Sequence, residues 1–294
     1  MCIRDRPWEN YDLSEWALDT PNADNGPLIT AAGNEFGNGD NLSARTQDFH
    51  FIAGELFPGA EPFFFTGSDG AMVFKSTIAG ARTSQNTSFV RSELREMLRA
   101  GDRSFSTQGA GPNNWALGHQ PLNPNIGAQG GRLTATLSVD QVTSTGATGQ
   151  VGRVIIGQIH AEEDEPLRLY YRKLPGNTRG GIYAVHEIRG GDDINIDIIG
   201  SLADDAADPL ENGIAPGELF SYEITNVGAI IEIIIRKGDS DGEIIGQTEI
   251  DMDNIIPGGT GYDVLNEWMY FKACLLYTSP SPRDLSTSRM PSSA

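Results

Sequence analysis

Leu219–Met252 reads LFSYEITNVGAIIEIIIRKGDSDGEIIGQTEIDM. Three runs rich in β-branched and aromatic residues, Leu219–Thr225, Ala229–Lys237 and Glu243–Met252, have strand length, and Gly238-Asp239-Ser240-Asp241-Gly242 separates the last two as a turn. The same grammar extends outward in both directions. Ala71–Ile78, Phe89–Met97, Gly131–Val139, Val151–His160, Leu167–Lys173, Gly181–Ile188 and Ile194–Ile199 read as strands, with turn signals at Pro175-Gly176-Asn177, Gly190-Gly191-Asp192-Asp193 and Pro257-Gly258-Gly259. Many short strands at this spacing predict an all-β chain, a two-sheet sandwich or jelly roll. Asp12–Leu18 and Asp204–Glu211 read as short helices or turns, and Thr20–Arg45 as Gly- and Asn-rich loop with short extended pieces. No internal repeat and no second domain boundary is visible.

Composition narrows the function. The 294 residues carry 35 glycines and a formal charge of −19. Such a surface repels nucleic acid and anionic membranes, and neither is expected as a partner. It also repels an anionic substrate in bulk, so an enzyme acting on one has to gather its basic residues in a single cleft. The longest apolar stretches, such as Ile230–Ile235, fall far short of the ~20 residues of a membrane span. Cys2 and Cys274 are the only cysteines, each near one end, which excludes a disulfide framework. Met1–Trp8 has no apolar stretch of the kind that heads a secretory signal. The segments Met1–Arg6 (MCIRDR) and Cys274–Asp284 (CLLYTSPSPRD) resemble translated sequencing adapter. Residues 1–6 and 274–294 are therefore expected to be non-native, with the biological body at 7–273 and both cysteines outside it.

Three segments carry groups suited to chemistry. In Arg91-Ser92-Glu93-Leu94-Arg95-Glu96-Met97, strand alternation puts Arg91, Glu93 and Arg95 on one face. Two guanidiniums flanking a carboxylate form a fixed cationic patch able to grip a sugar carboxylate, or else a solvated salt-bridge ladder. In Ile155-Ile156-Gly157-Gln158-Ile159-His160, Gln158 and His160 share a face while Ile155 and Ile159 are expected to pack inward. An amide beside an imidazole suits carboxylate binding and proton transfer; the alternative is a surface histidine. In Trp268-Met269-Tyr270-Phe271-Lys272-Ala273, Trp268, Tyr270 and Lys272 share a face, either a sugar groove or a sheet edge with a snorkelling lysine.

Taken together, RSELRE, QIH and YFKA, in this order, resemble the alginate lyases of polysaccharide lyase family 7, whose motifs are R-S/T-E-L-R, Q-I/V-H and Y-F-K-A-G-x-Y-x-Q on neighbouring strands of a jelly roll. Asn113-Asn114-Trp115, Gly191–Asn195 and Gly217–Tyr222 are similar to the family as well. The resemblance implies a jelly roll with a concave cleft over 7–273 and β-elimination on a 1,4-linked uronate polymer, without metal or organic cofactor. Arg91 and Gln158 would neutralise the uronate carboxylate, and His160 would be the base or a further neutraliser. Glu93, Arg95, Tyr270 and Lys272 would bind substrate or shape the patch. The protein is expected to act as a monomer and, because a polymer is met outside the cytoplasm, to be secreted or periplasmic.

One departure stands out. The family's catalytic tyrosine would fall at position 276, which is leucine, while Tyr277 comes one residue late. The body is thus expected to be truncated at its last catalytic strand, and the chain to be weak or inactive as a catalyst. That leaves a non-catalytic polyuronate-binding jelly roll as an alternative. A second alternative is a jelly-roll β-glucanase, since Glu249, Asp251 and Asp253 place acids on one strand face as glycoside hydrolysis requires. Asp239–Glu243 begins like a calcium loop but lacks the later glutamate, and reads as a hairpin turn. His50, His119 and His186 read as structural or surface residues, with His119 in a loop suited to rim the cleft.

Overall fold

The structure is a computed structural model that describes residues 11–23, 31–35, 63–77, 89–102, 104–119, 122–253, 261–277 and 285–290. The turn expected at 257–259, His50 and the Met1–Arg6 segment lie outside the described residues. The described residues contain strands and turns. The strands are β1 (Trp16–Ala23), β2 (Ala31–Glu35), β3 (Phe64–Thr66), β4 (Met72–Thr77), β5 (Arg91–Glu96), β6 (Trp115–Ala116), β7 (Ala128–Gln129), β8 (Arg132–Gln141) and β9 (Arg153–His160). They continue with β10 (Leu167–Arg172), β11 (Gly181–Glu187), β12 (Asp193–Ile199), β13 (Phe220–Val227), β14 (Ile230–Lys237), β15 (Ile244–Asp251), β16 (Tyr270–Tyr277) and β17 (Leu285–Met290).

Two sheets account for all but β6 and β7: an eight-stranded one in the order β12-β11-β10-β9-β16-β5-β1-β2, and a seven-stranded one in the order β15-β14-β13-β8-β17-β4-β3. Their pairings are antiparallel, and strands distant in sequence lie side by side, as in a jelly roll. Leu94, Ile156, Ile159, Leu169, Tyr171 and Phe271 from the first sheet meet Leu137, Phe220, Tyr222, Ile233 and Ile235 from the second in one buried core. Burying each such side chain contributes about 1.5–3 kcal/mol, and this drives the two faces together. The hairpin predicted at 238–242 joins β14 to β15, with Gly238 at φ 72° and the amide of Asp241 bonded to Oδ1 of Asp239.

The strand pattern departs from simple alternation at one decisive place. On β9, Gly157 pairs with Leu169 and Ile155 with Tyr170, so Ile156 is an extra residue in the ladder. This bulge reverses the side-chain phase. Val154, Ile156 and Ile159 enter the main core, but Ile155 does not, contrary to the sequence expectation. Ile155 instead joins Tyr170, Tyr183 and Val185 in a separate apolar cluster on the opposite face of the sheet.

Elsewhere the segments read as short helices or turns take the turn form, at Ser14–Glu15 just before Trp16 begins β1 and at Asp204–Asp205 and Leu210–Glu211. Ala31–Glu35, within the stretch expected to be loop with short extended pieces, is an extended piece paired with β1. β16 continues past Ala273 to Tyr277, and β17 lies between β4 and β8, in a segment that has no strand periodicity in the sequence.

Candidate active site

The three motifs come together because β9, β16 and β5 are consecutive in the eight-stranded sheet. Register aligns them further. Lys272 pairs with Gln158 on one side and Arg95 on the other, and Tyr270 pairs with His160. Leu94, Ile159 and Phe271 point into the core, so by alternation Glu93, Arg95, Gln158, His160, Tyr270 and Lys272 occupy the other face.

Glu93 is the hub of this face. Its Oε1 accepts from Nη1 of Arg91 at 3.1 Å and lies 3.0 Å from Nζ of Lys272, while the carboxylate is 1% exposed. Burial alone would favour a neutral Glu93, but the charges of Arg91 and Lys272 and their hydrogen bonds outweigh it and hold the carboxyl well below its usual range. Burial likewise disfavours the ammonium of Lys272, and the carboxylate of Glu93 overrides it, so Lys272 stays charged. Glu93 thus orients two cations whose combined charge exceeds its own. Asp19, half-buried among the same charges, adds a second carboxyl, and Arg91, Arg95 and Lys272 together leave a local positive site in a chain of net charge −19.

His160 is set up differently. Nδ1 lies 2.5 Å from the carbonyl oxygen of Ala161, an acceptor, so Nδ1 carries the proton and Nε2 presents its lone pair. Burial, and then the charge of Lys272, depress its pKa to about 4, against the opposing pull of Glu165. The imidazole is therefore neutral at pH 7 and available as a base. The ring stacks on Tyr270 with centroids 5.1 Å apart, and Tyr270 in turn stacks on Trp268 at 5.9 Å. Gln158 is buried, and its Oε1 has no hydrogen-bond partner among the described residues.

Arg95 shares the face but is held differently from Arg91. Its guanidinium lies 3.8 Å from the centroid of the Tyr270 ring. Its Nη2 donates to the carbonyl of Thr107 at 2.7 Å and its Nη1 to that of Glu96 at 3.2 Å. The side chain braces Tyr270 and the loop that follows β5 rather than presenting free donors.

Sequence reading missed several groups on this face. Tyr170 and Tyr183 stack at 4.8 Å, nearly parallel, in the small apolar cluster beyond β9. Glu165, in the β9–β10 turn, brings Oε1 to 3.8 Å from Nε2 of His160. Arg168, in register with Gln158, pairs with Asp193 and lies 3.7 Å from Glu187. The available signal was the alternation of LRLYYR, but the β9 bulge had to be known before the face could be assigned.

The acids of the hydrolase reading do not gather here. Glu249 and Asp251 are exposed on β15, the edge strand of the other sheet, and Oδ1 of Asp253 accepts from Nε2 of His119 across 2.7 Å. Set on an edge strand and away from the face that carries the candidate residues, these three acids do not form the facing pair that reading requires. His119 is thus occupied by Asp253, with Asp263 nearby, and His186 is buried with Nδ1 2.7 Å from the carbonyl of Pro166. A surface hollow of about 430 Å³ lined by Val151, Leu174, Asn177 and Asp204 holds none of the candidate residues.

The model of the family described as alginate lyase matches residues 11–288. An alginate lyase of Klebsiella pneumoniae is 43% identical over 280 residues, 91% of this chain and 82% of that protein. The chain belongs to the alginate lyases of polysaccharide lyase family 7. The crystal structure of the alginate lyase from Klebsiella pneumoniae superposes with a TM-score of 0.79 at 37% identity, over 97% of this chain and 96% of that one. The exolytic family 7 alginate lyase AlyA5 from Zobellia galactanivorans shares the fold at a TM-score of 0.66 and 20% identity, over 98% and 96% of the two chains. The β-jelly roll expected from strand spacing is thus the architecture of the family 7 lyases, and the chain is a polysaccharide lyase by membership.

Proposed function

We propose that this chain cleaves alginate, a 1,4-linked polymer of mannuronate and guluronate, by β-elimination at the face built from β5, β16 and β9. The C5 hydrogen of a uronate is only weakly acidic, because removing it puts further negative charge beside a carboxylate. Arg91 and Gln158 bind that carboxylate and Lys272 holds the ring, so the enolate-like charge develops against donors already in place. Nε2 of His160 takes the C5 proton. The electron pair of the C5–H bond forms the C4–C5 double bond, the C4–O4 bond breaks, and O4 takes up a proton.

The single observation that carries this reading is the convergence of two cations on buried Glu93 beside a neutral imidazole whose proton is held on Nδ1. Incubation with alginate, followed by ultraviolet detection of the unsaturated uronate ends that elimination creates, tests it. New reducing ends without that chromophore would mean hydrolysis and would sink the proposal.

A second reading is favoured by one position. Residue 276 pairs with Arg91 of β5 and Ile155 of β9, where the family pattern calls for a tyrosine, and it is leucine. We therefore propose tight alginate binding with slow turnover, the protonation of O4 being unassisted by a phenol. Binding without any turnover would instead identify a polyuronate-binding module. The enzyme meets its polymer outside the cytoplasm, as a secreted or periplasmic monomer.

A further inference from the structure

The turn between β9 and β10 carries an acidic group whose placement the proposed elimination does not yet use. Ala161–Pro166 reverses tightly, with the amide of Ala161 bonded to the carbonyl of Asp164 at 2.9 Å. This geometry folds Glu165 back beside the end of β9, where its Oε1 stands 3.8 Å from Nε2 of His160. The other ring nitrogen is already engaged by the Ala161 carbonyl, so the imidazole is flanked by an acceptor on each side.

Glu165 is itself held in place. Its amide donates to Oε2 of Glu187 at 3.1 Å, and the amide of Glu187 donates back to the carbonyl of Glu165 at 3.3 Å. Burial, and then the neighbouring Glu165, push the Glu187 carboxyl up to about 7. Glu187 is thereby the member of the pair that retains a proton, and Glu165 is the one that stays ionised, its own pKa lowered by His160 and Glu187 against the cost of burial. Arg168 lies 3.7 Å from Glu187 and pairs with Asp193, closing the far side.

The charged and titratable groups around His160 come from every neighbouring element. β16 contributes Lys272 and Tyr270, β5 contributes Glu93, the β9–β10 turn contributes Glu165, and Arg168 and Glu187 stand behind it on β10 and β11. Lys272 opposes protonation of the ring. Glu165 is the carboxylate nearest Nε2, the atom assigned the C5 proton.

We propose that Glu165 is a positioning residue for His160: its carboxylate, 3.8 Å from Nε2, stabilises by its charge the imidazolium formed when Nε2 accepts the C5 proton. The inference rests on the reading of His160 as the base. In the step itself the C5–H bond breaks, its proton moves to Nε2, the electron pair forms the C4–C5 double bond and O4 departs. The proton on Nε2 then passes to O4 or to water, and Glu165 remains ionised throughout. Because Glu165 acts through the charge on the base, its effect is expected on proton transfer rather than on substrate binding.

The test combines histidine NMR with kinetics on the full chain. The ring signals of His160, assigned by their loss in His160→Asn, are titrated in the unaltered protein, in Glu165→Gln and in Glu165→Asp. Removing the carboxylate is expected to lower the pKa of His160 by about half a pH unit or more, with Glu165→Asp restoring part of it. In the same variant kcat on alginate is expected to fall roughly tenfold with KM within about twofold, and the acid limb of kcat/KM to move to lower pH. An unchanged His160 titration in a folded Glu165→Gln protein overturns the inference, as does a change confined to KM. Failure of the unaltered chain to produce unsaturated ends would overturn the elimination reading instead, and the NMR titration would still decide whether Glu165 governs His160.

Discussion

Lys272 Nζ lies 3.0 Å from Glu93 Oε1, and the two side chains are 5% and 1% exposed. An ion pair this deeply withdrawn from water is sustained by mutual compensation, since each charge alone would be strongly disfavoured there. Replacing Glu93 with alanine removes the carboxylate that both Lys272 and Arg91 contact. The expected loss is about 3–5 kcal/mol of unfolding free energy, measured by denaturant titration. A variant within about 0.5 kcal/mol of the parent would show that Glu93 is not the hub of the site. The sign with pH follows from its depressed pKa. The contribution is present above the ordinary carboxylate range and is lost as pH falls through the lower folded value, so the protein should lose stability in acid.

His160 should set the acid limb of the rate profile. With its pKa down at about 4, the neutral base form dominates above that pH. Initial rates of unsaturated-end formation are expected to rise between about pH 3 and 5 and then to be insensitive to this group up to pH 8. His160→Asn should reduce kcat by at least about 100-fold without abolishing alginate binding. A limb centred near pH 6.5 would indicate a solvated histidine and contradict the buried geometry.

Position 276 offers a gain-of-function experiment. Leu276 is in register with Arg91 and Ile155. Cys274→Gly combined with Leu276→Tyr rebuilds the family pattern after YFKA. It is expected to raise kcat by on the order of 10²–10⁴, the usual contribution of a positioned acid–base group. Leu276→Phe serves as the control for side-chain shape. Equal activity of the Phe and Tyr variants would refute a role for the hydroxyl.

Glu96 predicts a different pH effect on stability. Its Oε2 accepts from the Trp115 indole at 3.1 Å and from the amide of Phe271 at 3.0 Å, tying β6 to the start of β16. Burial pushes this carboxyl up to about 7, against the pull of those two donors. A pKa raised on folding adds stability below the ordinary carboxylate value, and that stability is lost as pH rises through about 7. In Glu96→Gln, which is neutral throughout, the decline in Tm between about pH 5 and 8 should be shallower than in the parent. Parallel curves for the two proteins would exclude Glu96 as its source.

The sequence by itself determined the class of the fold and the chemical inventory of the site. Strand-length apolar runs between Gly- and Asp-rich turns leave a sandwich as the way to bury one face of each strand. The motifs RSELRE, QIH and YFKA named the groups that meet on β5, β9 and β16. What only the tertiary structure decided depends on contacts between strands. The bulge at Ile156 exists because β9 and β10 differ by one residue in their pairing, and local alternation carries no record of it, so Ile155 was assigned to the wrong face. β17 was hidden for a related reason: Leu-Ser-Thr-Ser-Arg-Met has no apolar periodicity, and its strand is defined by the pairing that β4 and β8 supply. Arg91 and Arg95 look equivalent two residues apart, yet one meets the hub carboxylate and the other is tied to backbone carbonyls and Tyr270. Glu165 is just another acid in an acidic turn until the hairpin closes and sets it beside His160. Burial and distance to a neighbouring charge decide what an ionisable group does, and both are properties of the folded arrangement.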